Sequence, residues 1–139
     1  MRDIMNQYVT YVKNHYVAKE IWVVFDGYPD DRSNSTKSYQ RFQRHRVIGL
    51  EIKLQPDTPI KSKQKDFLSN EENEKRLIQM LCQELQNQNI KAKIAEEDAD
   101  LLIVKTGMAT AVARPNNNVD VVGEDVDLLV IMNELAWTI

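Results

Sequence analysis

Cysteine is the scarcest chemistry-bearing residue in this sequence, with one, Cys82, in 139 residues. A single thiol forms no internal disulfide and builds no thiolate metal cluster, so a reducing, intracellular compartment is expected, nucleus or cytoplasm. The four glycines include no G-x-G-x-x-G and no G-x-x-x-x-G-K-[ST], which leaves glycine-loop nucleotide binding without support. The two histidines, His15 and His45, lie far apart with no ligand spacing and read as surface or helix-end residues. No Ser-His-Asp arrangement is recognisable. Unbroken apolar runs reach only about five residues, against the roughly 18 a membrane span needs. The opening MRDIMNQYVTYVK has neither an apolar h-region nor a small-residue cleavage site, and nothing there marks the chain for secretion. At 16.2 kDa and 42% hydrophobic residues, one globular domain over 1–139 is expected.

Charge is present in abundance, and its placement is uneven. The formal net charge is −3. From Arg32 to Lys65, nine basic residues stand against two acidic ones, Glu51 and Asp57. The rest of the chain holds nine basic and 19 acidic residues. Eight of those acids fall between Ile94 and Asp127, facing only Lys105 and Arg114. A basic segment beside acidic clusters points to phosphate contact in one place and to metal binding or repulsion in another. Taken singly, either run is also what a solvated surface looks like.

Hydrophobic spacing supplies the elements. Ile4, Met5, Tyr8, Val9, Val12 and Tyr16 recur at three and four, predicting an amphipathic helix over 4–16. Ile21–Phe25 is an unbroken β-branched and aromatic run, as in a strand buried on both faces. Residues 28–34 read as a loop and 35–46 as a basic helix. Residues 47–54 alternate, as a short strand or an extended loop would. Residues 55–65, with two prolines, read as a mobile surface segment, and Lys61, Lys63 and Lys65 as its solvated charges. Ser69 is the expected cap of a helix over 73–88 with Leu77, Ile78, Leu81, Cys82 and Leu85 on one face. Ile90–Ala95 reads as a second buried strand and 97–112 as a helix facing inward with Ala99, Leu102, Ile103, Thr106 and Ala109. A third strand over 119–123 and a last helix over 127–136 complete the pattern. Strands separated by helix-length crossovers predict a parallel α/β sheet.

All three predicted strands end in acid: Asp26, then Glu97, Asp98 and Asp100, then Asp125 and Asp127. The crevice of an open parallel sheet lies beyond the carboxyl ends of its strands. Carboxylates crowded there repel unless cations neutralise them. Mg²⁺ and Mn²⁺ prefer such hard oxygen ligands, and two ions about 4 Å apart can activate a water and stabilise a leaving oxygen. Any one of these acids is more readily a helix N-cap than a ligand, notably Asp98 and Asp125. Three acidic strand ends in one sheet favour metal.

VVFDGYPD, STKSYQRFQR, AEEDADLLIV and VVGEDVDLLV, in that order, resemble the PIN-like nuclease superfamily and within it the flap-endonuclease branch. The resemblance spans roughly residues 8–136. It implies a three-layer α/β fold with a central, mostly parallel sheet flanked by helices. It also implies a divalent-metal-dependent nuclease acting on DNA or RNA with two Mg²⁺ or Mn²⁺ ions. Asp26, the acid of V-F-D-G, matches the metal-site acid after the second strand of that fold, Asp98 and Asp100 the paired acids of the middle motif, and Asp125 and Asp127 the D-x-D pair. Glu97 stands beside them. Lys37 and Arg44, seven apart, match the Lys and Arg of the family's helical arch that contact the scissile phosphate. Arg41 falls between them on the same helical face. On this comparison 32–65 is an arch-like insertion, with Tyr28 and Tyr39 flanking it as candidates for base stacking. The family's first strand, with its metal-binding Asp, has no counterpart here, nor do its later strands and helix-hairpin-helix. A sheet lacking that strand exposes edges that invite pairing into homodimers. The rival expectation is a degenerate, non-catalytic relative that binds nucleic acid or a protein partner.

Overall fold

The computed structural model describes residues 1–27, 49–96 and 98–136. The elements are α1 (Arg2–His15), β1 (Trp22–Phe25), α2 (Gln64–Leu68), α3 (Glu71–Asn87), β2 (Lys91–Ile94), α4 (Ala99–Ala113) and α5 (Asp127–Ala136). The protein is mixed α/β, largely helical, around a two-stranded sheet. Lys91 N–H donates to the Ile21 carbonyl at 3.0 Å and Ala95 N–H to the Phe25 carbonyl at 2.9 Å, so the strands run parallel. Two compact units divide the chain, Met1–Val23 with Tyr28–Lys93 and Val24–Gly27 with Ile94–Ile139.

In the first unit, α1 packs against α3, which also carries α2. Met5, Val9 and Val12 form the buried stripe of α1, and Leu81, Cys82 and Leu85 that of α3. Asn70, rather than the expected Ser69, caps α3: its side chain accepts the Asn73 N–H at 3.1 Å. Ser69 instead closes α2, a short helix that the proline-containing stretch had not announced. Asn89, at φ 60, ends α3 in the left-handed region that asparagine tolerates. The Ile90 N–H then bonds the Leu85 carbonyl at 2.9 Å, and both side chains are buried. Residues 49–54 form an extended loop. The stretch expected to be mobile is bonded to the chain start, with Arg2 N–H on the Pro56 carbonyl at 2.9 Å and the Met1 amino group on the Thr58 carbonyl at 2.9 Å.

In the second unit, α4 packs against α5. Two expectations fail here. Residues 119–123 form no strand. They lie against α4, with the Val119 and Val121 side chains close to Gly107. An alternating pattern specifies extended backbone, but a strand also needs a partner to bond. Ala99 is buried as expected, but the other buried residue of α4 is Val104, which was not on the expected face, while Ala109 is exposed. Apolar residues encircle this helix, so spacing alone does not select a face. β2 is likewise more exposed than a strand covered on both faces, and among the described residues it pairs with β1 alone. Among the described residues no helix is long and apolar enough to cross a membrane.

Candidate functional site

The acids that follow β1 and β2 meet at the start of α4. Gly27 lies so close to the Ala95 carbonyl that a Cβ there would collide with it, so only glycine lets the two strand ends approach this far. Asp26, one residue earlier, is thereby directed to the first turn of α4. Its Oδ1 accepts the Ala99 N–H at 2.9 Å across 73 residues of sequence. Asp98 is the N-cap of α4, in extended conformation at φ −97 and ψ 129, and its Oδ1 accepts the Asp100 N–H at 3.0 Å. Two carboxylates therefore satisfy two of the helix's first N–H groups and meet the positive end of its dipole. Asp100 adds a third acid to the same turn.

The second D-x-D repeats this local device. Asp125 Oδ1 accepts the Asp127 N–H at 3.3 Å at the start of α5, and both side chains are exposed. Next to it is a hollow of about 270 Å³ lined by Val121, Gly123, Asp125, Leu128, Leu129 and Met132. The shared spacing makes the same i to i+2 bond in both places, but Asp98 is the N-cap of α4 whereas Asp125 lies one residue before Val126, whose carbonyl accepts the first helical bonds of α5. Each first Asp accepts the N–H of the second before helical geometry parts them.

The structure brings Asp26, Asp98 and Asp100 to one helix start and sets Asp125 and Asp127 at another. Among the described residues, no group of three or more His, Cys, Asp or Glu side chains is arranged to hold a metal ion. In chemical kind the donors suit a hard divalent cation, being carboxylate oxygens with no sulfur or imidazole among them. Glu97, Lys37, Arg41, Arg44, Tyr28, Tyr39 and His45 lie outside the described residues. His15 has the helix-end role expected of it. Its Nδ1 lies 3.0 Å from the Tyr11 carbonyl and its ring stacks on Tyr11 at 3.9 Å. Cys82 is buried in the first unit's core, and burial pushes its thiol pKa up.

Two groupings escaped the spacing argument. Asn73, with no exposed surface, accepts the Ile52 N–H at 2.7 Å and donates to the Leu50 carbonyl at 2.9 Å and the Phe67 carbonyl at 3.2 Å. Arg76 adds a bond to the Ile52 carbonyl at 3.0 Å and a salt bridge to Glu51 at 2.7 Å. Together they pin residues 50–52 along α3. The available signal was position, because Asn73 continues the row of Leu77, Leu81 and Leu85 at intervals of four. The other grouping is Trp22 with Lys91 and Lys93, whose ammonium groups lie 4.6 and 4.5 Å from its ring centroid. No protein-family model, curated protein or solved structure matches this chain.

Proposed function

We propose that this chain is a divalent-metal-dependent, PIN-like nuclease-type domain that hydrolyses phosphodiester bonds in DNA or RNA. The observation that carries the reading is the Asp26–Ala99 bond, through which two neighbouring parallel strands bring their terminal acids to one helix start. Asp26, Asp98 and Asp100, with Asp125 and Asp127, are the residues that would hold Mg²⁺ or Mn²⁺, and Glu97 adjoins them in sequence. Such ions, when bound, supply water activation and neutralise charge on the leaving oxygen. The chain's own contribution is orientation: helix N–H groups fix one oxygen of Asp26 and one of Asp98. Lys37, Arg41 and Arg44 would hold the nucleic acid through its phosphates. The same reading sets the protein in the nucleus or cytoplasm and allows two copies to pair through their sheet edges.

A second reading, a non-catalytic relative that binds nucleic acid or a protein partner, draws on a specific observation. The first Asp of each D-x-D already accepts the N–H of the second at a helix start, and no three described side chains converge on a cation. A cleavage assay with Mn²⁺ on single-stranded, flap and duplex substrates separates the two. The nuclease reading predicts cutting by the parent, reduced at least about 100-fold in Asp125→Ala and Asp127→Ala. Salt-dependent binding without any cleavage supports the second reading instead.

A further inference from the structure

The strand pair carries a cluster that the carboxylates do not use. Lys91 and Lys93 are two apart on β2 and therefore share one face of the sheet. Both approach the Trp22 indole on β1, at 4.6 and 4.5 Å from its centroid. Glu20 fixes the ring, its Oε1 accepting the indole Nε1–H at 2.7 Å, and its Oε2 pairs with Lys91 at 3.2 Å. Lys93 has no carboxylate partner among the described residues and meets the indole face alone. The result is an oriented, half-buried indole with two ammonium groups against one carboxylate.

We propose that this face of the strand pair is a binding site for single-stranded nucleic acid, with one base stacked on Trp22 and adjacent phosphates held by Lys93 and Lys91. Every base offers a π-face, so the stack is tolerant of sequence. An ammonium that leaves the ring for a phosphate exchanges a cation–π contact for an ion pair, and no cation is stranded. An acidic peptide satisfies the lysines but brings no planar partner for the indole, which favours nucleic acid. The Glu20 bond keeps the ring from turning when its lysines move away. The site needs no metal and stands whether or not the chain cleaves what it holds.

Of the two tryptophans in the sequence, Trp137 is replaced in the test chain (Trp137→Phe), leaving Trp22 as the sole indole reporter. Titration in EDTA with an oligothymidylate of about 12 nucleotides is expected to quench Trp22 emission, less so as salt rises. Lys93→Glu is expected to weaken binding roughly ten-fold and Lys93→Gln roughly three-fold. Followed by anisotropy of a labelled oligonucleotide, Trp22→Leu is expected to lose roughly five-fold or more, with circular dichroism confirming that it folds. The lysine variants keep the test decisive if that chain does not fold. Parent-like affinity in Lys93→Glu overturns the proposal. So does quenching by polyglutamate in place of the oligonucleotide, or an absence of binding by the parent. Binding abolished by Lys37→Ala/Arg44→Ala yet unchanged in Lys93→Glu also overturns it and assigns the contact to the basic segment.

Discussion

The two units use their apolar residues and helix ends in different ways. In the first, amphipathic helices turn their apolar stripes onto one another, Leu85 is wholly buried, and Asn73, the buried polar side chain among the described residues, has its hydrogen bonds made. In the second, Val104 and Leu128 are buried, but Val122, Val126, Leu129 and Val130 are exposed, Leu129 at 68%. Both units place acids in the first turns of their helices, but the start of α3 is bonded by the Asn70 amide and the starts of α4 and α5 by the carboxylates of Asp98 and Asp125. The first unit thus has the properties of a scaffold. The second holds its candidate chemistry where packing constrains the chain least, as regions that bind often do.

Substitutions that put equal changes in the two units sharpen this contrast. Leu85→Ala is expected to cost between about 3 and 5 kcal/mol, the range for a fully buried leucine, whereas Leu129→Ala should change stability by less than about 0.5 kcal/mol. Urea unfolding of both variants measures the gap, and similar costs would break the distinction. Asn73→Ala comes next, at about 3 kcal/mol, because Ile52 N–H and the Leu50 and Phe67 carbonyls all lose their partner. A loss below about 1 kcal/mol, by the same measurement, would mean that water replaces the side chain there.

Asp26 gives a smaller effect with a sharper meaning. Asp26→Ala removes the acceptor for Ala99 N–H and is expected to cost about 1 kcal/mol, while Asp26→Asn keeps an acceptor and should cost about half as much. Thermal melts in EDTA test the pair, and equal losses would show that charge, not the bond, stabilises the turn. The smallest effect is the pH dependence of Cys82. Its thiol pKa is raised by burial, so the unfolded chain releases this proton first as pH rises. The resulting stability is complete below the ordinary thiol value near 8.5 and is lost as pH climbs through the raised value. Unfolding at pH 8 and pH 10 should therefore show a steeper decline in the parent than in Cys82→Ala. Equal declines would remove Cys82 as a cause.

How far the fold and the candidate site were legible depended on whether the signal was local. α1, α3 and α5 were legible because an amphipathic stripe and a polar boundary both lie within the segment. β1 was legible as an apolar run and β2 as a strand, although Lys91 and Lys93 leave β2 largely exposed rather than buried. Their pairing was also expected, but that Val119–Gly123 would form no strand was not foreseeable, since its composition is that of one. In α4, apolar residues on every side concealed the inward role of Val104. Asp98 was recognisable as a cap from its position before a helix; Asp125, expected to cap likewise, lies one residue before Val126, whose carbonyl accepts the first helical bonds of α5. The Asp26–Ala99 contact depends on Gly27 admitting the Ala95 carbonyl, a relation between residues far apart in sequence. Asn73 was hidden because a polar residue in a helix ordinarily faces water, and only the backbone of 50–52 gives it a reason to turn inward.

Calorimetric titration of Mn²⁺ into the intact chain and into Asp26→Asn tests the nuclease reading most directly. Asparagine preserves the acceptor for Ala99 N–H but removes the charge a cation needs, so folding and metal binding are read separately. The account predicts Mn²⁺ uptake by the parent and its loss in an Asp26→Asn chain that remains folded. Absence of uptake by the parent, or equal uptake by both chains, would contradict it and leave Asp26 as the cap of a helix.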